Sequence, residues 1–112
     1  MDNRVKKYLS DVLKAIREID SFFETRPRQF AIYKEELVLR RAIERNISII
    51  GEAINKAFQL DSTLPITHIR NIVGTRNRII HSYDSLVPEL IWGIVINDLP
   101  ILKKEIEDLL II

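Results

Sequence analysis

The sequence predicts an all-α protein folded as an up-and-down four-helix bundle, and three observations lead there. Apolar residues recur at spacings of three and four along most of the chain. Apolar residues make up 46% and charged residues 29%, with only three Gly and four Pro in 112 residues, the balance of a compact helical protein. The periodic segments fall into four main helices with short connections, and there is no internal repeat, low-complexity tract or linker, so one domain spanning 1–112 is expected.

The first helix carries Val5, Tyr8, Leu9, Val12, Ile16, Ile19 and Phe23 on one stripe, opens with Asp2 and Asn3 as caps, and ends before Pro27. The second, from about Lys34 to Phe58, repeats the pattern with Leu39, Ile43, Ile47, Ile50, Ile54 and Phe58. Gln59 to Pro65 reads as a loop, because the residue before a proline avoids helical geometry. The third helix starts near Thr67, carries Ile69, Ile72, Val73, Ile79 and Ile80, and frays from His81 to Asp84. Gly74 inside it is unfavourable for a helix, which predicts close approach by another backbone there. The last helix runs from Pro88 to Ile112, begins with Pro in a favoured first-turn place, and is kinked or split near Pro100. The Ile-rich second and fourth helices and the terminal Leu109-Leu110-Ile111-Ile112 hold more apolar surface than a monomer of this size needs, which predicts a homodimer.

A net charge of +1, from 17 basic and 16 acidic residues, creates no broad field toward nucleic acid or a membrane surface, so any such contact must be local. The lack of Cys excludes disulfides, thiolate metal sites and a Cys nucleophile. Met1-Asp2-Asn3-Arg4 leads straight into a charged amphipathic pattern, so a soluble protein of the cytoplasm is expected.

The chemistry concentrates in Gly74-Thr75-Arg76-Asn77-Arg78-Ile79-Ile80-His81-Ser82-Tyr83-Asp84. Arg76 offers a permanently charged planar fork for phosphate oxygens, and His81 is the side chain best able to exchange protons near neutral pH. Together they suit phosphodiester cleavage in RNA, where the neighbouring 2′-hydroxyl is the nucleophile and the protein supplies a base, charge stabilisation and an acid. That route demands no metal and no cofactor. Five residues at about 100° each separate the two side chains by roughly 140° on an ideal helix, so convergence needs an unwound helix end or a second subunit. The bland alternatives are a chance spacing, since with ten Arg in 112 residues one falls five positions before a given His about one time in eleven, and a His capping the helix dipole.

The stretch Arg76-x4-His81-x-Tyr83 resembles the RX4HXY motif of HepT-like toxins in the HEPN superfamily, and Asn77 after the Arg resembles the family pattern too. Arg41-Ala42-Ile43-Glu44-Arg45, Ile49-Ile50-Gly51-Glu52-Ala53 and Asn97-Asp98-Leu99-Pro100 are similar to the family's flanking segments, so the likeness covers nearly the whole chain. The resemblance implies a four-helix bundle of HEPN type, a homodimer whose two motif helices meet at a shared cleft, and metal-independent RNA cleavage. It implies proton transfer by His81, phosphate binding and transition-state stabilisation by Arg76, and orientation of the phosphate or of His81 by Asn77. For Tyr83 it implies adenylylation by a nucleotidyltransferase antitoxin of the MntA type, which switches the toxin off by adding charge and bulk two residues from His81. The alternative for Tyr83 is a ring that packs and a hydroxyl that bonds.

Other residues are read more plainly. His68, with no second ligand at metal spacing, is a surface or capping residue. Glu44 and Glu52 neighbour Arg41, Arg45 and Lys56 and are expected in helical ion pairs. Arg40, Arg41 and Arg45 form a basic patch that contacts RNA or antitoxin or is simply solvated. Trp92 and Phe22 belong to the core or the dimer surface. Two functional classes remain at this point: a ribonuclease toxin, and a noncatalytic nucleotide-binding or interaction module that recruits the nucleotidyltransferase. Both need Arg76, and only the first cannot do without His81.

Overall fold

The computed structural model describes residues 1–82 and 86–111, and Tyr83, Asp84, Ser85 and Ile112 lie outside the described residues. The chain is all-helical, with no strand among the described residues. Its elements are α1 (Asn3–Phe22), α2 (Phe30–Glu35), α3 (Leu37–Leu60), α4 (Ile69–His81), α5 (Pro88–Gly93), a π-helical turn (Ile94–Asp98) and α6 (Leu99–Leu110). Helices α1 and α4 both pack along α3, and α6 lies against α1.

Each long helix forms where the periodicity places it. The Asp2 carboxylate accepts from the Arg4 backbone N–H at 2.7 Å and so satisfies one orphan donor of α1. Val5, Leu9, Val12, Ile16 and Ile19 of α1 are buried against Leu39, Ile43, Ile47, Ile50 and Ile54 of the central α3. Ile72, Ile91, Ile94, Leu99, Leu102 and Ile106 close the same core from the later helices. Transfer of such side chains from water contributes about 1.5–3 kcal/mol each, which makes this one core the main source of stability.

The second predicted helix is two helices. Its expected start near Lys34 lies inside the short α2, and the chain breaks at Glu36 (φ −98°, ψ 98°) before α3 begins. Two long-range constraints impose that break. Arg26 grips the Glu36 carboxylate through Nε and Nη2, both at 2.8 Å, and Tyr33 stacks on Trp92 with ring centroids 5.4 Å apart. Phe23 and Phe30 complete the aromatic cluster around Trp92. Burial pushes the Tyr33 hydroxyl well above its ordinary range, with Glu44 adding to the effect.

The third predicted helix keeps its form through His81 rather than fraying there, with the Ser82 N–H bonded to the Arg78 carbonyl at 3.0 Å. The fraying expected at Tyr83 and Asp84 falls outside the described residues. The last helix departs from ideality just before Pro100. Proline lacks the N–H that would reach the carbonyl four residues back, and its ring crowds that carbonyl; the π turn over Ile94–Asp98 takes up the mismatch, leaving Pro100 in the first turn of α6.

The expectation at Gly74 is corrected. A Cβ built there meets nothing within 4 Å among the described residues, and the close approach that they show lies at Gly51 of α3 instead. Ile49, Ile80, Val87, Ile96 and Ile101 leave large apolar side chains exposed. Among the described residues, no helix is long and apolar enough to cross a membrane.

Candidate active site

Gly51 and Arg76 set the geometry of the motif. A Cβ added at Gly51 would stand 2.5 Å from Arg76 Cβ, 2.9 Å from its Cγ and 3.3 Å from the Ile72 carbonyl oxygen. Only a residue without a side chain lets the Arg76 stem lie across α3 in this way. A Gly inside a helix costs about 1 kcal/mol relative to Ala, so its place in an Ile-rich run was a sign of close packing, one that pointed equally well to Gly74.

Arg76 is half-buried, and its Nη1 donates to Asn77 Oδ1 at 2.9 Å. Its Nε is buried without a hydrogen-bond partner. Arg76 and Asn77 are therefore brought together. His81 is exposed at the end of the same helix. Because α4 is continuously helical from Ile69 to His81, the rotation of roughly 140° between Arg76 and His81 is kept, and the two do not share a face within one copy. Tyr83 lies outside the described residues.

The other residues sort clearly. Arg41 Nη1 reaches both oxygens of the buried Glu44 at 3.0 Å, and Lys56 pairs with Glu52 at 3.2 Å, so both glutamates stand in helical ion pairs. The basic patch is thus partly structural, since Arg41 serves Glu44 and Arg40 is half-buried with its Nε unpartnered. Trp92 and Phe22 pack against the core.

His68 does more than sit at the surface. Flanking the start of α4, it makes no side-chain cap, and its Nδ1 lies 3.4 Å from Oδ1 of the buried Asp98, whose Oδ2 accepts from Asn71 Nδ2 at 2.8 Å. This cluster was missed in the sequence because its members are far apart in the chain, and the nearest signal was an Asp next to a Leu-Pro pair that widens the helix. Among the described residues, no three of His, Asp or Glu gather so as to hold a metal ion.

In one copy, then, the arrangement offers an anchored cation fork aligned by an amide and, on a different face, an imidazole open to solvent. Comparison with known proteins agrees with a nucleic-acid-cleaving family. The family described as "Ribonuclease HepT-like" matches residues 12–109. A Methanocaldococcus jannaschii protein that carries a provisional RNase name is 34% identical over 106 residues, covering 92% of this chain and 94% of its own. A Thermococcus cleftensis protein named "Probable ribonuclease HepT" is 32% identical, with 93% of this chain and 94% of that one covered. A Caldanaerobacter subterraneus protein with a provisional RNase name is 32% identical over 72% of this chain and 73% of its own. No solved structure matches. The chain belongs to the HepT-like ribonuclease family.

Proposed function

We propose that this chain is the toxin of a type VII-like toxin–antitoxin pair, a metal-independent RNA endonuclease of the cytoplasm that works as a homodimer. The observation that carries the reading is the unbroken α4, which holds Arg76 against Gly51 and sends His81 to another face. An unwound helix end is one way to bring the pair together, and α4 does not unwind before Ser82; a second copy is the other. In this reading two α4 helices face each other, with Arg76 of one protomer near His81 of its partner. The exposed Ile80, Val87 and Ile96, and the open surface over Gly74, suit such a contact. In this reading residues 1–112 form one HEPN-type domain, and α1, α3, α4 and the α5–α6 unit are its four bundle members.

The chemistry follows from these groups. One His81 imidazole takes the proton of the RNA 2′-hydroxyl as that oxygen attacks the neighbouring phosphorus. Arg76 neutralises the charge that builds on the non-bridging oxygens, with Asn77 holding its fork in line. The bond from phosphorus to the 5′-oxygen breaks, the leaving oxygen takes a proton from the second, protonated His81, and a 2′,3′-cyclic phosphate remains. Tyr83 stands two residues from His81 in sequence, and adenylylation there by an MntA-type nucleotidyltransferase adds negative charge and bulk that turn away an RNA phosphate.

The test is cleavage of total cellular RNA in the presence of a chelator by protein prepared without its antitoxin, comparing wild type with His81→Ala. Cutting by wild type alone, at least about 100-fold above the variant, is the expected result. If neither cuts while Tyr83 is unmodified by mass, the noncatalytic binding-module reading replaces this one.

A further inference from the structure

We propose that Gly51 is a positioning residue for Arg76, a role that rests on the ribonuclease reading above: its missing side chain sets how far the arginine fork extends toward the scissile phosphate. The Arg76 Cβ is attached rigidly to the α4 backbone, so no rotamer change can relieve a 2.5 Å approach to it. The Ile72 carbonyl, 3.3 Å from the same point, belongs to that backbone as well. Carbon atoms in contact sit at about 3.5–4.0 Å, so a methyl at position 51 forces α4 away from α3 by on the order of 1 Å.

That displacement carries Arg76 and Asn77 together, because Nη1 of one is bonded to Oδ1 of the other. The Arg76 Nε is buried, so the stem has little room to compensate by extending or retracting on its own. The site is thereby moved as a unit relative to the rest of the bundle. A misplacement of about 1 Å in a phosphate-stabilising group weakens the transition state far more than the ground state and costs up to about 100-fold in rate.

Wild type, Gly51→Ala, Arg76→Gly, the double variant and the control Gly93→Ala are compared by steady-state cleavage of a fluorogenic RNA and by thermal melting. Gly93 is also helical, and a Cβ there meets nothing within 4 Å, so it carries the change in helix propensity without the collision. Gly51→Ala is expected to lower kcat per folded molecule by about 10- to 100-fold with KM changed by less than about threefold, while Gly93→Ala keeps its rate. The melting loss caused by Gly51→Ala shrinks when Arg76 is already Gly, because the two nearest atoms that the methyl strikes are gone and only the looser approach to the Ile72 carbonyl remains. If Gly51→Ala alone does not fold, recovery of folding in the double variant supports the same seat. A wild-type rate in folded Gly51→Ala, or an equal melting loss with and without the Arg76 side chain, overturns the proposal. If wild type and Gly93→Ala cut no RNA, the ribonuclease reading fails and takes the kinetic role with it, and the melting cycle still decides whether Gly51 seats Arg76.

Discussion

Asn71 and Asp98 meet at 2.8 Å, the amide of the first turn of α4 donating to a carboxylate in the π turn. His68 stands 3.4 Å from the other carboxylate oxygen. Asp98 is only 5% exposed, and a carboxylate at that depth is tolerated because these partners replace its lost water. The contact ties the start of the motif helix to the last third of the chain.

Asn71→Ala should therefore destabilise the protein by about 1–3 kcal/mol, the cost of leaving a buried acceptor short of a partner. Asn71 is itself exposed, so a surface residue with no such duty would change stability by no more than about 0.5 kcal/mol. Urea denaturation of the two proteins separates these values.

The Arg26 pair predicts how stability responds to acid. Arg26 holds the Glu36 carboxyl below the usual carboxylate range, and the Thr63 hydroxyl and N–H do the same for Asp61. The unfolded chain then binds protons that the folded chain refuses, so stability rises with pH across this window. The contribution from Glu36 is complete above its unfolded value of about 4.5 and is lost as pH falls through the lowered folded value. Glu36→Gln should flatten the acid limb of the denaturation midpoint against pH, and an unchanged limb would show that Arg26 does not act this way.

Tyr33 makes a prediction of the opposite kind. Its ring is fully buried on Trp92, while its hydroxyl, close to Arg40, makes no well-formed hydrogen bond among the described residues. Tyr33→Phe keeps the stack and removes a buried hydroxyl that has only a poorly aligned neighbour in Arg40, so it should change stability by no more than about 1 kcal/mol, in either direction. Because burial raises the hydroxyl's pKa, the unfolded chain ionises first, so stability unaffected by this group below the unfolded value of about 10 declines as pH climbs toward the folded one, and Tyr33→Phe removes that decline. In the native protein Tyr33→Phe should leave the phenolate absorbance that appears just above pH 10 unchanged.

Much of the fold was legible in the chain. The stripes Val5 to Ile19 and Leu39 to Ile54 are helical on spacing alone, since only a 3.6-residue period gathers them on one face. The cap at Asp2 and the break before Pro100 were legible for local reasons, an oxygen in reach of an orphan donor and a proline without one. The division of α2 from α3 was not, because it depends on Arg26 and Trp92, which meet Glu36 and Tyr33 only after the chain has folded back.

The candidate site divides along the same line. The spacing of Arg76 and His81, and the angle between them on a continuous helix, belong to the sequence, and so does the family likeness on which the shared purpose proposed for them rests. Which of the three helical glycines admits a neighbouring backbone, and which buried carboxylate anchors the start of the motif helix, were decided by tertiary structure alone. Gly51 and Gly74 are locally alike, and only the packing of α4 on α3 presses one against Arg76 and leaves the other open. The helical period states what faces a neighbour, while the distance between packed helices depends on every side chain at the crossing and is not written in any one segment.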